Sequence, residues 1–168
     1  MNRISPLAKI SPMVDIERSQ RGSIVDIGAN VTIDSFVKIK FAGGSGDVVI
    51  EDDCYLNSGV VIYSGNGLRL GRGTLVAANT TFAPTNHEYR DRDQTIIAQR
   101  FMPSRGGIVV GEDCWIGANC VLLDGAMLGR GCVVGAGSVV RGSWPAYSVL
   151  VGNPARVVGE RKPGPPPA

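Results

Sequence analysis

Between Val110 and Val140 the chain repeats every six residues without a gap: VGEDCW, IGANCV, LLDGAM, LGRGCV, VGAGSV. The first residue of each hexad is aliphatic (Val110, Ile116, Leu122, Leu128, Val134, then Val140). The second is Gly at 111, 117, 129 and 135, and the fifth is small: Cys114, Cys120, Ala126, Cys132, Ser138. A period of six matches neither the 3.6 residues of a helix nor the alternation of a strand. It is the signature of a parallel β-helix. Each hexad supplies a short strand with one large apolar residue inward, then a turn to the next face. Gly suits such a turn because it lacks a Cβ penalty at unusual dihedrals. Three hexads close a triangular coil, so Val110 is expected on Leu128, Ile116 on Val134 and Leu122 on Val140. Stacked coils then bury a continuous core that no single repeat could bury.

Weaker hexads extend the pattern upstream. They run from Ile27 to Ile39, resume at Ile50 after the Gly-rich FAGGSGDV, and continue from Leu70 through FAPTNH, with Leu68-Arg69 as a small insertion. Residues 1–23 show no clear hexad and are expected to cap the solenoid, within a single all-β domain over 1–158. Residues 88–107 break the rhythm and are rich in charge. An unpatterned loop of ~20 residues inside a compact domain is usually functional or disordered, and its place between two well-formed blocks of coil argues for function. The Pro-rich tail, 159–168, is expected to be extended and flexible.

Several function classes are excluded. A net charge of +2 with no basic run argues against nucleic acid, and no segment approaches the ~18 apolar residues of a membrane span. MNRISPLAKISP lacks the apolar stretch of a secretory signal, so a cytoplasmic location is expected. Cys54, Cys114, Cys120 and Cys132 all fall on the fifth hexad position, which makes them small core residues, not metal ligands.

These hexads, followed by Val151-Gly-Asn-Pro-Ala-Arg-Val-Val158, closely resemble the hexapeptide-repeat acyltransferases, in particular the maltose and galactoside O-acetyltransferases and those of surface-polysaccharide synthesis. The resemblance implies a left-handed parallel β-helix, although the general rule for parallel crossovers would favour the opposite hand. It implies acetyl-CoA as donor, a homotrimer with sites between adjacent β-helices, no metal, and transfer to a sugar hydroxyl without a covalent acyl-enzyme. Backbone N–H groups would stabilise the tetrahedral oxyanion.

His87, the single histidine, stands in Ala83-Pro-Thr-Asn-His-Glu-Tyr89, where the family carries its catalytic base. A hydroxyl needs a base at its proton, and imidazole titrates near physiological pH. Glu88, Asp91 and Asp93 are nearby carboxylates that could orient it, and Asp91 is read with Asn57 as an acceptor contact. Asn57 matches the family's sugar-binding Asn, whereas its sugar-binding Asp is not matched by Tyr63-Ser-Gly65, which leaves the acceptor open. Ala118 and Ala136 match the small residues beside which the pantetheine arm of CoA runs, and Ala77, on the coil before the loop, is a further candidate for that edge. Trp115 matches a channel or subunit contact, and Arg141 and Arg156 match basic positions near the CoA phosphates. N-acetylation of a nucleotide-linked amino sugar is the near alternative, and a non-catalytic β-helix scaffold the distant one. One histidine excludes the zinc site of the γ-class carbonic anhydrases, which share the fold but use three. The long helical N-terminal region of serine acetyltransferases has no counterpart in residues 1–25.

Overall fold

A computed structural model describes residues 2–164. The hexads fold into strands of two or three residues separated by tight turns, and the strands form three parallel sheets that are the faces of a triangular prism. The expected stacking is observed: Val110 pairs with Leu128, Ile116 with Val134 and Leu122 with Val140. Above them Ile27, Ile50, Leu70 and Val110 form one inward column on the first face. All four are buried. Each such side chain contributes roughly 1.5–3 kcal/mol on burial.

The prism is regular at two corners and irregular at the third. Turns from the first face to the second, and from the second to the third, keep the four-residue form of 28–31, 51–54 or 117–120 through all the complete coils. Every extra residue is placed where the third face returns to the first, in segments 17–24, 41–47, 64–67 and 84–107. The inserted segment of the third coil is therefore Ser64–Gly67. Leu68, expected in an insertion with Arg69, is instead an inward core residue of strand Leu68–Leu70, only 2% exposed.

The ends also differ from expectation. Residues 3–16 form a first coil, with strands Arg3–Ile4, Lys9–Ile10 and Asp15–Ile16 paired onto the coil below. Its hexads are hidden because 17–24 adds length at the variable corner. At the C-terminus, strand Ser148–Gly152 reverses into strand Ala155–Glu160, so Gly159 and Glu160 are still paired. Arg161 then reaches back to the Asp113 carboxylate at 3.0 Å. Of the Pro-rich tail, 165–168 lie outside the described residues. No helix among the described residues is long and apolar enough to cross a membrane.

The turn chemistry is specific. Gly111 and Gly117 do not have positive φ; a Cβ there would lie 2.7 and 2.6 Å from backbone nitrogens of the next coil, Arg130 N and Ala136 N. Close approach of coils, not an unusual dihedral, demands glycine at the second hexad position. The left-handed residue is the fourth, where Asn30, Asp53, Asp113 and Asn119 have φ of 55–61°, a region that Asn and Asp tolerate best among non-Gly residues. The buried fifth residue donates to a carbonyl in the coil below: Cys54 Sγ to Gly71 O (3.2 Å), Thr80 Oγ1 to Gly117 O (2.9 Å), Cys120 Sγ to Gly135 O (3.2 Å).

Candidate active site

The long insertion at the variable corner is folded on itself. Its two limbs pair: Met102 N–H donates to Asn86 O at 2.8 Å and Glu88 N–H to Arg100 O at 3.0 Å. At its tip, helix Ile96–Gln99 is capped by the Thr95 side chain. Gln99 Nε2 donates to Asp91 O at 2.8 Å and to Gln94 O at 3.1 Å, tying that tip to the descending limb. The return limb is anchored by Asp124, a carboxylate only 3% exposed. Its oxygens accept from the Arg105 and Gly107 N–H groups (2.8 and 2.9 Å) and from Asn66 Nδ2 (3.1 Å). One buried carboxylate thus joins three coils, consistent with the rule that buried charge persists only when well hydrogen-bonded.

His87 stands where the limbs leave the prism. Its ring lies over Phe101, with centroids 4.6 Å apart, and its Nδ1 is 3.1 Å from the Arg100 carbonyl oxygen. A carbonyl only accepts, so Nδ1 carries the proton and Nε2 of the neutral ring is an unprotonated base. None of the three nearby carboxylates orients the imidazole. Glu88 is held by Arg90 (Nε to Oε1, 2.8 Å), whose hydrogen bond pulls the Glu88 carboxyl down to about 2. The Asp91 carboxylate caps its own loop, accepting from Asp93 N–H at 3.0 Å and Gln94 Nε2 at 2.6 Å, and does not line the pocket of His87. Arg100 has φ 62° and ψ −132°, a costly conformation for a residue with a Cβ.

That pocket, of about 270 Å³, is bounded on the loop side by Asn86, Tyr89, Met102 and Arg105 and on the prism side by Leu123, Asp124 and Arg141. Of the residues expected to bind substrates, Arg141 alone is brought together with His87. Asn57, Ala77, Ala118 and Ala136 gather on a different corner, between the second and third faces. There Asn57 N–H donates to Val76 O, Ala77 N–H to Ile116 O and Gly137 N–H to Ala118 O. The Asn57 side chain accepts from Ser58 N–H at 2.7 Å, within its own turn. The pairing of Val76 with Ile116 puts Ala78, not Ala77, above Ala118 and Ala136, and Ala77 above Gly117. The resulting edge of Ser58, Ala78, Ala118 and Ala136 carries only small side chains. Trp115, 53% exposed, stands beside Leu75 on the outer surface of the second face. Arg156 is exposed on the last strand and donates to its own Ala155 carbonyl. No group of three His, Cys, Asp or Glu among the described residues is placed to hold a metal.

Sequence reasoning missed Arg100, Arg105, Asn66 and Asp124. Asp124 had a signal: LLDGAM is the one hexad of its block whose second residue is not Gly, because its turn lies at the variable corner.

With this geometry in place, comparison with known proteins is informative. Residues 107–142 match the family described as bacterial transferase hexapeptide (six repeats). A protein described as the lipopolysaccharide biosynthesis O-acetyl transferase WbbJ of Escherichia coli K12 is 31% identical over 139 residues, 80% of this chain and 70% of the relative. The colanic acid biosynthesis acetyltransferase WcaF of the same strain is 31% identical over 135 residues, 80% and 69% of the two chains. Among solved structures, AntD from Bacillus cereus, an N-acyltransferase in complex with dTDP and coenzyme A, superposes over 95% of this chain and 84% of its own. The TM-score is 0.80 at 22% identity, a likeness of fold.

Proposed function

We propose, since the chain belongs to the hexapeptide-repeat acyltransferases and has their left-handed parallel β-helix, that it moves an acetyl group from acetyl-CoA to a sugar hydroxyl in surface-polysaccharide biosynthesis. The observation that carries this reading is the pairing of His87 Nδ1 with the Arg100 carbonyl, which leaves Nε2 of the pocket-lining histidine for an acceptor hydroxyl. Nε2 takes the hydroxyl proton as the acceptor oxygen attacks the thioester carbon. The Arg100 carbonyl holds the Nδ1–H and stabilises the imidazolium that forms. Collapse of the tetrahedral intermediate breaks the C–S bond, and His87 returns the proton to the departing sulfur.

The edge of Ser58, Ala78, Ala118 and Ala136 suits the pantetheine arm of CoA because no side chain beyond Cβ or a hydroxyl covers its backbone. Asn57, with Ala77 in the adjacent column, lies beside this edge. In one chain His87 and this edge stand at opposite ends of the third-face strands. A homotrimer, in which the loop corner of one chain meets the small-residue edge of the next, would unite them. The exposed Leu75 and Trp115 on the second face support such packing, and Arg156 below them would then approach the donor's phosphates. The cytoplasm, where acetyl-CoA is made, is the expected location.

The test is thiol release from acetyl-CoA over a panel of sugars and amino sugars, wild type against His87→Ala, with CoA affinity measured by calorimetry on both. Turnover of a sugar that vanishes with His87 supports the reading. Absence of CoA binding by the wild-type protein would sink it.

A further inference from the structure

We propose that the acceptor is an anionic sugar whose carboxylate or phosphate lies a few atoms from the reacting hydroxyl, and that Arg105 and Arg141 hold that group. This deepens the reading of His87 as the base and rests on it. The two arginines reach the same pocket from unrelated segments, Arg105 from the return limb of the loop and Arg141 from the end of strand Val139–Val140. Both are rooted: the Arg105 N–H is held by Asp124 Oδ2 at 2.8 Å, and the Arg141 carbonyl accepts from Trp144 Nε1 at 3.1 Å.

Their guanidinium groups are not so engaged. Among the described residues neither makes an ion pair, which is also true of Arg18, Arg21, Arg100, Arg130 and Arg156, but these two are the arginines that line the pocket of His87. Asp124, the one carboxylate lining the pocket, turns its oxygens to three N–H donors and ion-pairs with neither arginine; its single charge offsets one of the two guanidiniums at most. Two unpaired cations beside the base leave the pocket positive until an anion enters, and the planar fork of each guanidinium matches a carboxylate or phosphate.

The anion is not one of the donor's own. With the thioester at His87, the whole pantetheine arm separates the reacting carbon from the nearest CoA phosphate, whereas Arg105 and Arg141 line the same pocket as His87 itself. An anionic group on the acceptor, beside its reacting hydroxyl, falls within reach of both guanidiniums. Tyr89 and Met102 complete the pocket with apolar surface suited to the C–H face of a sugar ring.

The experiment uses the full chain with acetyl-CoA and three classes of acceptor at equal concentration: neutral hexoses, hexuronic acids and hexose 1-phosphates. Wild type, Arg105→Gln, Arg141→Gln and the corresponding Lys variants are compared, with CoA affinity by calorimetry and folding by thermal melt. We expect one anionic class to exceed its neutral parent at least tenfold in kcat/KM; whether hexuronic acids or hexose 1-phosphates do so identifies the anion. Each Gln variant should raise the acceptor KM about tenfold or more at unchanged CoA affinity, with Lys recovering only part of the loss. Equal turnover of neutral and anionic sugars overturns the proposal and leaves the transferase intact. So does loss of CoA affinity in the Gln variants, which would assign the guanidiniums to the donor. CoA binding with no turnover of either anionic class also overturns it. No CoA binding by wild type would remove the transferase reading itself.

Discussion

Arg100 contributes its backbone, not its guanidinium, to the site: its carbonyl oxygen lies 3.1 Å from His87 Nδ1, thirteen residues away, and also accepts the Glu88 N–H at 3.0 Å. One atom therefore holds both the His87 ring and the pairing of the loop limbs. Arg100→Ala, which retains the backbone, should leave kcat within about threefold. Arg100→Pro imposes φ near −65° in place of 62°, so it should turn the carbonyl away and lower kcat about 10²-fold at unchanged CoA affinity. Equal rates in the two variants would show that the carbonyl does not orient the base.

His87→Ala should lower kcat by roughly 10²–10⁴-fold, the range for loss of a general base. His87 is exposed on the loop, so the melting temperature and the CoA dissociation constant should hardly move. A residual rate above a tenth of wild type would place the base elsewhere.

Asp124→Ala leaves three N–H donors without their acceptor; the Gly107 N–H is the buried one and costs about 1–3 kcal/mol unsatisfied, while water can reach those of Arg105 and Asn66. The return limb should detach before the coils do. Limited proteolysis is expected to cut within 88–107 far faster than in wild type, with the β-sheet circular dichroism retained. Cleavage rates equal to wild type would mean that Asp124 does not anchor the loop.

How much of this could be read in the chain depends on how local each feature is. The inward columns were legible because Val110, Ile116 and Leu122 meet partners at a fixed spacing. His87 stands out as a candidate because it is the single histidine and sits at the point where the hexads stop. Arg100 and Asp124 act through contacts set by the folded loop, and a backbone carbonyl has no residue-type signature at all. Ala78 is not legible as the neighbour of Ala118 because the long insertion between them breaks the hexad count. The first coil escaped notice because its spacing to the second includes the extra corner residues 17–24.

Two glycine substitutions separate the two reasons for glycine in a turn. Gly117→Ala puts a methyl 2.6 Å from Ala136 N, a backbone atom that can move only with its coil. Overpacking of this kind costs about 1–3 kcal/mol. Gly137→Ala meets nothing within 4 Å, and its φ of 72° carries a penalty of about 1–2 kcal/mol, with no steric conflict added. Gly117→Ala should therefore show the lower melting temperature; the reverse order would contradict the close-approach argument.

Alkaline pH should destabilise the fold. Burial raises the Cys54 and Cys114 thiols from 9.0 to about 11. Thiols in the unfolded chain ionise first, so the stability from keeping them neutral is complete below pH 9 and is lost as pH rises through 11. Melting temperature should fall across that interval and fall less in Cys54→Ser. Thiol reagents should label neither residue at pH 8 until the chain unfolds.

The single variable corner has a consequence for how such chains diversify. Paired strands are 20 residues apart just above the long loop and 40 apart across it, yet the ladder continues in register. Since doubling a closed loop costs only about 0.6 kcal/mol, lineages can lengthen, shorten or replace this one segment while the scaffold beneath is inherited unchanged. New acceptor preferences can then arise by insertion and deletion at one place, without passing through a misfolded ancestor.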